Sequence, residues 1–248
     1  MKDLENIELD FSVVIPAYNE ESYLPATIDS LKKAMNAIPE LRGELIVVDN
    51  HSTDLTAENA RQLGAQVVFE EVRGIAIARN AGARIALGKY LFFVDADTLV
   101  NEESLLQSLN YLLSGKVGAG GSVLEFDQTH GRFVFGELLP NLWNFISRVF
   151  KLAAGSFVFT RRDLFWECGG FPQNMFAGEE IFFSQAVKRL CRKKGMSFKV
   201  LEDCPVITSS RKLLWHSNLR IGANLMLLLL FPFAVRFRML CGFWYQRP

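Results

Sequence analysis

The sequence predicts an α/β fold with a mainly parallel central sheet and helices on both of its faces. Short apolar runs rich in β-branched residues alternate four times with helical patterns over roughly the first 115 residues. The segments that join them are short, as in parallel sheets whose strands are connected through helices. Half of the 248 residues are hydrophobic, which is enough to cover both faces of such a sheet.

The strands of the predicted sheet are uninterrupted apolar runs. The first is closed by Pro16, and the four runs are 11–15, 44–49, 66–70 and 90–94. The helices between them carry apolar residues three or four positions apart. They are predicted over 24–35, 53–63 and 74–87, and a fourth begins after Asn101, a favourable N-cap residue.

The second half of the chain is less regular. Residues 132–151 are crowded with aromatic side chains and receive no assignment. The elements predicted after them are a strand over 157–160, a short helix over 161–167, a helix over 180–194, and two short edge strands over 198–201 and 206–208.

Charge is unevenly distributed along the chain, although its formal net charge is zero. Residues 187–248 carry 12 Lys or Arg against 2 Asp or Glu, while the rest carries 15 against 25. A basic, apolar segment indicates contact with an anionic surface, of which a membrane is favoured. Nucleic acid is not expected, because no recognition-helix or zinc-ligand pattern accompanies the charge.

The apolar run at 225–231 is far shorter than the roughly 20 residues that span a bilayer. We therefore expect residues 213–248 to form an interfacial amphipathic segment, or else a helix that packs on the domain or in a dimer. Four cysteines without paired spacing, and a charged N-terminus without an apolar signal region, favour a cytoplasmic protein. Its expected place is peripheral, on the cytoplasmic face of the membrane.

The strand at 90–94 is followed by two acids, Asp95 and Asp97, separated by Ala96. Ligands of open α/β sheets bind at the carboxyl ends of the strands. Two carboxylates so close together repel each other unless a cation lies beside them. A hard divalent cation that also holds a nucleoside diphosphate meets this requirement, which predicts an enzyme that uses an activated phosphate donor.

Five motifs follow one another in the order found in a known enzyme family. They are 13–21, 44–54, Gly74 with 78–82, the acidic triplet 95–97, and 169–171 with 178–180. Together they resemble a family 2 glycosyltransferase of the GT-A fold, over roughly residues 11–210. The resemblance implies one catalytic domain over 1–212, with a donor-binding half at about 11–115 and an acceptor half at about 116–212.

The resemblance implies that a nucleotide-diphosphate-sugar of the UDP or GDP type is the donor. Tyr18 would flank the base, while Glu20 and Asp49 would accept hydrogen bonds from the base or the ribose. An arginine at position 79 can reach the phosphates or a loop carboxylate, and one at position 211 can close on the diphosphate. The expected donor-binding residues are Pro16, Ala17, Tyr18, Glu20, Asp49, Gly74, Arg79, Asp95, Ala96 and Arg211.

The resemblance also implies a divalent metal, Mg²⁺ or Mn²⁺, held by Asp97 with Asp95, and His216 is a candidate third ligand. Glu180 resembles the catalytic base, and its place at a helix start favours the charged form. The family more often has Asp there, so Glu179 remains an alternative as base or as a residue that orients the acceptor. The implied reaction is a direct displacement that inverts the anomeric carbon, with a glycan or lipid-linked acceptor.

Three other readings stay open at this stage. A polyprenyl-phosphate sugar transferase is a near variant, although the sequence after the acidic triplet, 98–100, differs from what those enzymes usually show. A nucleotidyltransferase would be expected to carry a Gly-rich phosphate loop after the first strand, and 17–21 lacks one. A non-catalytic nucleotide-sugar-binding scaffold is kept open by the paired Glu179 and Glu180.

Overall fold

The computed structural model describes residues 9–127, 134–175 and 178–211. The expectations for the tail at 213–248, including a metal-binding His216, lie outside the described residues. Within them, no helix is both long and apolar enough to cross a membrane.

The described strands form a single eight-stranded mixed sheet. They are β1 (Phe11–Ala17), β2 (Gly43–Asp49), β3 (Gln66–Phe69), β4 (Tyr90–Val94), β5 (Thr98–Leu99), β6 (Val117–Phe126), β7 (Phe157–Arg161) and β8 (Ser197–Thr208). Their order across the sheet is β3-β2-β1-β4-β7-β6-β8-β5. Parallel pairing joins β1 to β2 and β4, β2 to β3, and β6 to β8, while β7 runs antiparallel to both β4 and β6.

Helices cover both faces of the sheet, as predicted. They are α1 (Leu24–Asn36), α2 (Thr56–Gln62), α3 (Ile75–Ile85), α4 (Glu102–Leu113), α5 (Val134–Phe150), α6 (Arg162–Glu167) and α7 (Glu179–Lys193). One core cluster packs α1 and α4 against the sheet, and a second packs α3, α6 and α7 against the opposite face. Burial on both faces explains why β1, β2 and β4 appear in the sequence as continuous apolar runs.

Most of the predicted elements are confirmed, with shifted ends. The run at 90–94 is β4 without change, and Asn101 caps α4 through its side chain, which accepts from the Ser104 N–H at 2.7 Å. Two boundaries were wrong. β1 continues through Pro16 because its pairing with β4 stops at Val14, so Pro16 lies where only β2 pairs. α2 begins at Thr56 rather than at residue 53, because Asp54 accepts from the Thr56 N–H ahead of the helix.

Larger corrections concern the second half of the sheet. The two predicted edge strands are one strand, β8, which lies inside the sheet between β6 and β5. β6 was missed because its sequence is rich in glycine, a residue depleted in strands. The glycines are required by close packing, since a Cβ at Gly120 would overlap the Lys199 carbonyl oxygen and the Phe159 ring.

We expect Gly120→Ala to lower the free energy of unfolding by roughly 2–3 kcal/mol or more, because a backbone carbonyl cannot make room for the added methyl group. Gly64→Ala is the matched control, since Gly64 has a positive φ of 72° with only the end of the Lys32 side chain nearby. That change should cost about 1 kcal/mol. Urea unfolding of both variants measures the difference, and equal losses would show that β6 tolerates the methyl group.

Candidate functional site

The site lies at the carboxyl ends of β1, β2 and β4, where three polar loops meet. Pro16 and Ala17 form the buried end of β1, and the Ala17 carbonyl accepts a hydrogen bond from the Asn50 N–H at 2.8 Å. Ala96 is buried as well, and its carbonyl accepts from the Thr27 hydroxyl of α1 at 2.9 Å. The strands and α1 therefore hold the three loops at fixed positions.

The first loop presents an aromatic ring beneath a guanidinium group. The guanidinium carbon of Arg73 lies 3.6 Å from the centre of the Tyr18 ring, which is a cation–π distance. Arg73 was not predicted as a site residue. Its only signal in the sequence is its place immediately before Gly74, at the start of α3.

The second loop is held by Asp49 and Asn50. Asp49 is nearly buried and accepts from the Ser52 N–H at 3.0 Å. The Asn50 amide donates to the carbonyls of Glu70 and Val72 and accepts from the Gly74 N–H at 2.8 Å. Asn50, which was also not predicted, thus ties the second loop to the chain that enters α3.

Arg211 joins two acids of the predicted donor and metal sites. Its Nη2 donates to Glu20 at 2.7 Å and to Asp97 at 2.8 Å, and its guanidinium carbon lies 4.1 Å from the centre of the Tyr23 ring. The side chains of Arg211, Glu20 and Asp97 are each only 7% exposed. The two buried carboxylates therefore share the single positive charge of Arg211, which offsets part of their mutual repulsion.

A second buried arginine, Arg79, joins the acidic triplet to the predicted catalytic motif. Its Nη1 donates to Glu179 at 2.7 Å, and its Nη2 donates to Asp95 and to the Gly155 carbonyl, both at 2.8 Å. The side chain is 1% exposed and lies over the Phe171 ring. Of the two roles predicted for Arg79, the structure shows the contact with a loop carboxylate.

Glu179 and Glu180, at the start of α7, have different surroundings. Glu179 is buried in its ion pair with Arg79, whereas Glu180 is half-buried beside the same arginine and has no ion-pair partner among the described residues. A Cβ placed on Gly155 would lie 3.2 Å from Arg79 Nη2 and 3.5 Å from the Glu180 carboxyl carbon. Glu180 therefore lies at the edge of the Arg79 network.

The surroundings of Glu180 favour its protonated form. Burial, followed by the negative charge of Glu179, raises the pKa of Glu180 to about 8, although Arg79 and a backbone hydrogen bond lower it. The prediction that the helix start favours the charged form was therefore wrong, because burial and the charge of Glu179 outweigh the effects that lower the pKa. A carboxyl group with a pKa near neutrality is suited to proton transfer.

Asp95 and Asp97 have the chemistry of a site for a hard divalent cation. Both offer carboxylate oxygens at the end of β4, and the hydroxyl of Ser156, next to Asp95, is buried without a hydrogen-bond partner in the described structure. Both carboxylates are already paired with arginines, and no group of three His, Cys, Asp or Glu among the described residues forms a metal cluster. The residues therefore fit Mg²⁺ or Mn²⁺ held with phosphate oxygens rather than by protein alone.

Proteins of known sequence match part of this chain. A sequence model described as "Glycosyl transferase family 2" matches residues 12–169. Glycosyltransferase AglE of Haloferax volcanii is 27% identical over 192 residues, which cover 70% of this chain and 60% of that protein. A poly(ribitol-phosphate) β-N-acetylglucosaminyltransferase, TarS of Staphylococcus aureus, is 31% identical over 110 residues, covering 42% of this chain and 19% of TarS. The matched part thus spans less than two thirds of either relative.

Solved structures resemble the fold over a longer stretch. TarS 1–349 in complex with UDP-GlcNAc matches 82% of this chain and 59% of its own, with a TM-score of 0.63 and 25% identity. The mannosyltransferase PcManGT of Pyrobaculum calidifontis, in complex with GDP-Man and Mn²⁺, matches 96% of this chain and 69% of its own, with a TM-score of 0.68 and 20% identity. These neighbours have the GT-A fold. The chain, matched by the family model over more than half of its length, belongs to glycosyl transferase family 2.

Proposed function

We propose that the protein is a metal-dependent inverting glycosyltransferase that moves a sugar from a nucleoside diphosphate to an acceptor hydroxyl. The observation that carries the proposal is the buried Arg79, which pairs with Asp95 of the acidic triplet and with Glu179, the neighbour of Glu180 at the start of α7. One end of this network suits a departing diphosphate, and the other suits removal of a proton. A scaffold that only binds the nucleotide-sugar would not need a carboxyl group with a pKa near 8.

The donor-binding half of the domain would hold the nucleotide over the first two loops. Tyr18 and Arg73 form a flat, cationic surface for the base, and Asp49 offers a carboxylate at the end of β2. Solved neighbours bind UDP-GlcNAc or GDP-Man, which supports a donor of the UDP or GDP type here. A nucleotidyltransferase is less well supported, because no phosphate-binding glycine loop follows β1.

Glu180, rather than Glu179, is the base in this proposal. The carboxylate of Glu179 is occupied by its buried ion pair with Arg79. Glu180 would accept the proton of the acceptor hydroxyl while that oxygen attacks the anomeric carbon from the face opposite the diphosphate. The bond from the anomeric carbon to the diphosphate oxygen breaks in the same displacement, and the configuration of the sugar inverts.

Two acids at the end of β4 would hold the metal, Asp97 directly and Asp95 beside it. When bound, the metal would supply positive charge to the leaving diphosphate. Asp97 has to leave Arg211 to take part, and Arg211 then becomes available to the diphosphate as a second cation. Asp95 keeps its place through Arg79 and through its N–H, which donates to the Ser156 carbonyl at 3.3 Å.

The acceptor half, about 116–212, would carry the acceptor, which we propose to be a glycan or a lipid-linked sugar of the cell envelope. Relatives named for poly(ribitol-phosphate) glycosylation and for minor teichoic acid biosynthesis support this class of product. A polyprenyl-phosphate acceptor is the near alternative. We further propose that the basic, apolar tail at 213–248 places the enzyme on the cytoplasmic face of a membrane.

Glu180→Gln should lower turnover by roughly 10²–10⁴-fold while donor binding is retained, because only the proton acceptor is lost. The measurement is nucleoside diphosphate release from a panel of nucleotide-sugars with Mn²⁺, with donor binding followed by calorimetry. Asp97→Ala should also abolish release.

Glu179→Gln is the matched control, and it should mainly destabilise the protein, by about 1–3 kcal/mol, because Arg79 loses one buried partner. If Glu179→Gln abolishes turnover and Glu180→Gln does not, the roles are reversed. Pyrophosphate release would indicate nucleotidyl transfer.

The rate should rise with pH up to about 8, because the base acts only when it is deprotonated. The folded-state pKa of Glu180 is raised, so its deprotonated fraction grows about tenfold per pH unit between pH 6 and 7 and levels off above 8. The pH dependence of kcat/KM for the acceptor measures this. In Glu179→Gln the midpoint should move to lower pH, because the negative charge that raises the pKa is gone. A flat profile between pH 6 and 8 would rule out Glu180 as the base.

Arg211→Gln should tighten Mn²⁺ binding to the donor-free protein by roughly tenfold, because the metal no longer displaces a charged hydrogen bond from Asp97. Calorimetric titration of Mn²⁺ without nucleotide measures the affinity independently of activity. Arg61→Gln, an exposed change of the same charge on α2, is the control and should leave it unaltered. Weaker binding in Arg211→Gln would mean that Arg211 helps to build the metal site rather than competing for it.

A further inference from the structure

Helix α5 carries an apolar face that no described part of the protein covers. Leu142, Phe145 and Val149 are three and four positions apart, so they lie on one side of the helix. Their side chains are 51%, 62% and 56% exposed, and Phe150 at the end of the helix is 60% exposed. Large apolar side chains grouped in this way mark an interaction surface more often than exposed apolar residues that stand alone.

The opposite side of α5 is fixed to the domain by polar contacts. The Asn144 side chain accepts from the Leu124 N–H at 3.0 Å and donates to the Leu124 carbonyl at 2.8 Å, which attaches the helix to β6. Ser147 is buried, and its hydroxyl donates to the Leu152 carbonyl at 2.6 Å. The helix is therefore held in one orientation, with its apolar face directed away from the sheet.

Positive charge gathers at the C-terminal end of this face. The Lys188 ammonium of α7 donates to the Phe150 carbonyl, and Lys151 follows directly in the chain. Arg192 lies four positions after Lys188 on α7, so the two share one side of that helix. Burial, together with the positive charges of Arg192 and Lys151, lowers the pKa of Lys188. Within the described part of the chain, none of the three takes part in an ion pair. The nearby Arg148 is paired with Glu202 at 3.4 Å.

We propose that this face of α5, together with Lys151, Lys188 and Arg192, is a docking surface for an anionic lipid bilayer. An apolar stripe beside cations matches the surface of such a membrane. The stripe would enter the boundary of the acyl chains, and the cations would contact the anionic headgroups. A protein partner would need to supply both an apolar groove and acidic groups at its end. A bilayer that contains anionic lipids presents both at any point of its surface.

The surface is built from residues of the described domain and includes none of residues 213–248. It adds to the proposed membrane location, and vesicle binding is measured without donor or acceptor. Vesicle binding can therefore fail while sugar transfer is retained, and sugar transfer can fail while vesicle binding is retained. α5 directly follows β6 of the acceptor half, so docking through it would bring that half of the domain to the lipid surface.

The test is co-sedimentation of the full chain with vesicles of phosphatidylcholine, with or without phosphatidylglycerol. Wild type should bind the anionic vesicles, and the double variant Leu142→Gln/Phe145→Gln should bind them about tenfold less. The matched control is Leu87→Gln/Phe69→Gln, which removes a leucine and a phenylalanine of similar exposure, 63% and 60%, elsewhere on the surface. It should bind within twofold of wild type. Thermal unfolding of both variants checks that each is folded.

A second variant, Lys151→Gln/Arg192→Gln, tests the cationic part and should lose binding mainly on anionic vesicles at low salt. Wild-type binding by Leu142→Gln/Phe145→Gln would overturn the proposal and assign any membrane contact to residues outside α5. Equal losses in Leu142→Gln/Phe145→Gln and in the control Leu87→Gln/Phe69→Gln would overturn it as well, because the effect would not be specific to this face. If wild type is a dimer by light scattering and Leu142→Gln/Phe145→Gln is a monomer with unchanged vesicle binding, the face is a subunit interface instead.

Discussion

The site depends on the burial of two arginines among carboxylates that would otherwise repel one another. Acids from distant parts of the chain meet at one edge of the sheet: Glu20, Asp95, Asp97, Glu179 and Glu180. Arg79 and Arg211 divide them into two groups, one beside the start of α7 and one beside the loop that follows β1. Removing either arginine would leave buried charges without a partner, which is among the most costly changes a folded protein can undergo. The positions of the acids are therefore set by these ion pairs as much as by the strands that carry them.

The same constraint separates two adjacent glutamates into different roles. Consecutive residues on a helix point about 100° apart, and only Glu179 forms an ion pair with Arg79, while Glu180 lies beside the same arginine. Glu179 takes the ion pair, and the negative charge that it brings raises the pKa of its neighbour. A fully neutralised pair of acids would be structural only. The asymmetry at the start of α7 raises the pKa of one carboxyl group to about 8, which suits the role of base that we propose for Glu180.

The sequence predicted the parallel half of the fold well because burial on both faces leaves a direct trace in the residues. Continuous apolar runs at 44–49 and 90–94 have no other simple explanation in a chain of this composition. The glycines of β6 obscured that strand, since their reason is the approach of Phe159 and Lys199 from other elements. The acidic triplet and the paired glutamates were found as motifs, and a contact of Arg79 with a loop carboxylate was predicted. Its ion pair with Glu179 was not, because Glu179 lies 100 positions further along the chain. Local patterns thus identify which residues carry charge, and only the tertiary structure shows which charges are paired.

The backbone around Arg211 determines how its pairing with Asp97 can change. The Ser209 N–H donates to the Asp97 carbonyl at 3.1 Å, and the Ser210 N–H donates to Asp127 at 2.9 Å. This segment directly follows β8, whose end pairs with β5, the short strand that follows the acidic triplet. Because the main chain is held on both sides, Arg211 can leave Asp97 by rotating its side chain, without unpairing the strand. In the function that we propose, a metal would take the place of Arg211 at Asp97, while the contacts of Arg211 with Glu20 and the Tyr23 ring keep its side chain at the site.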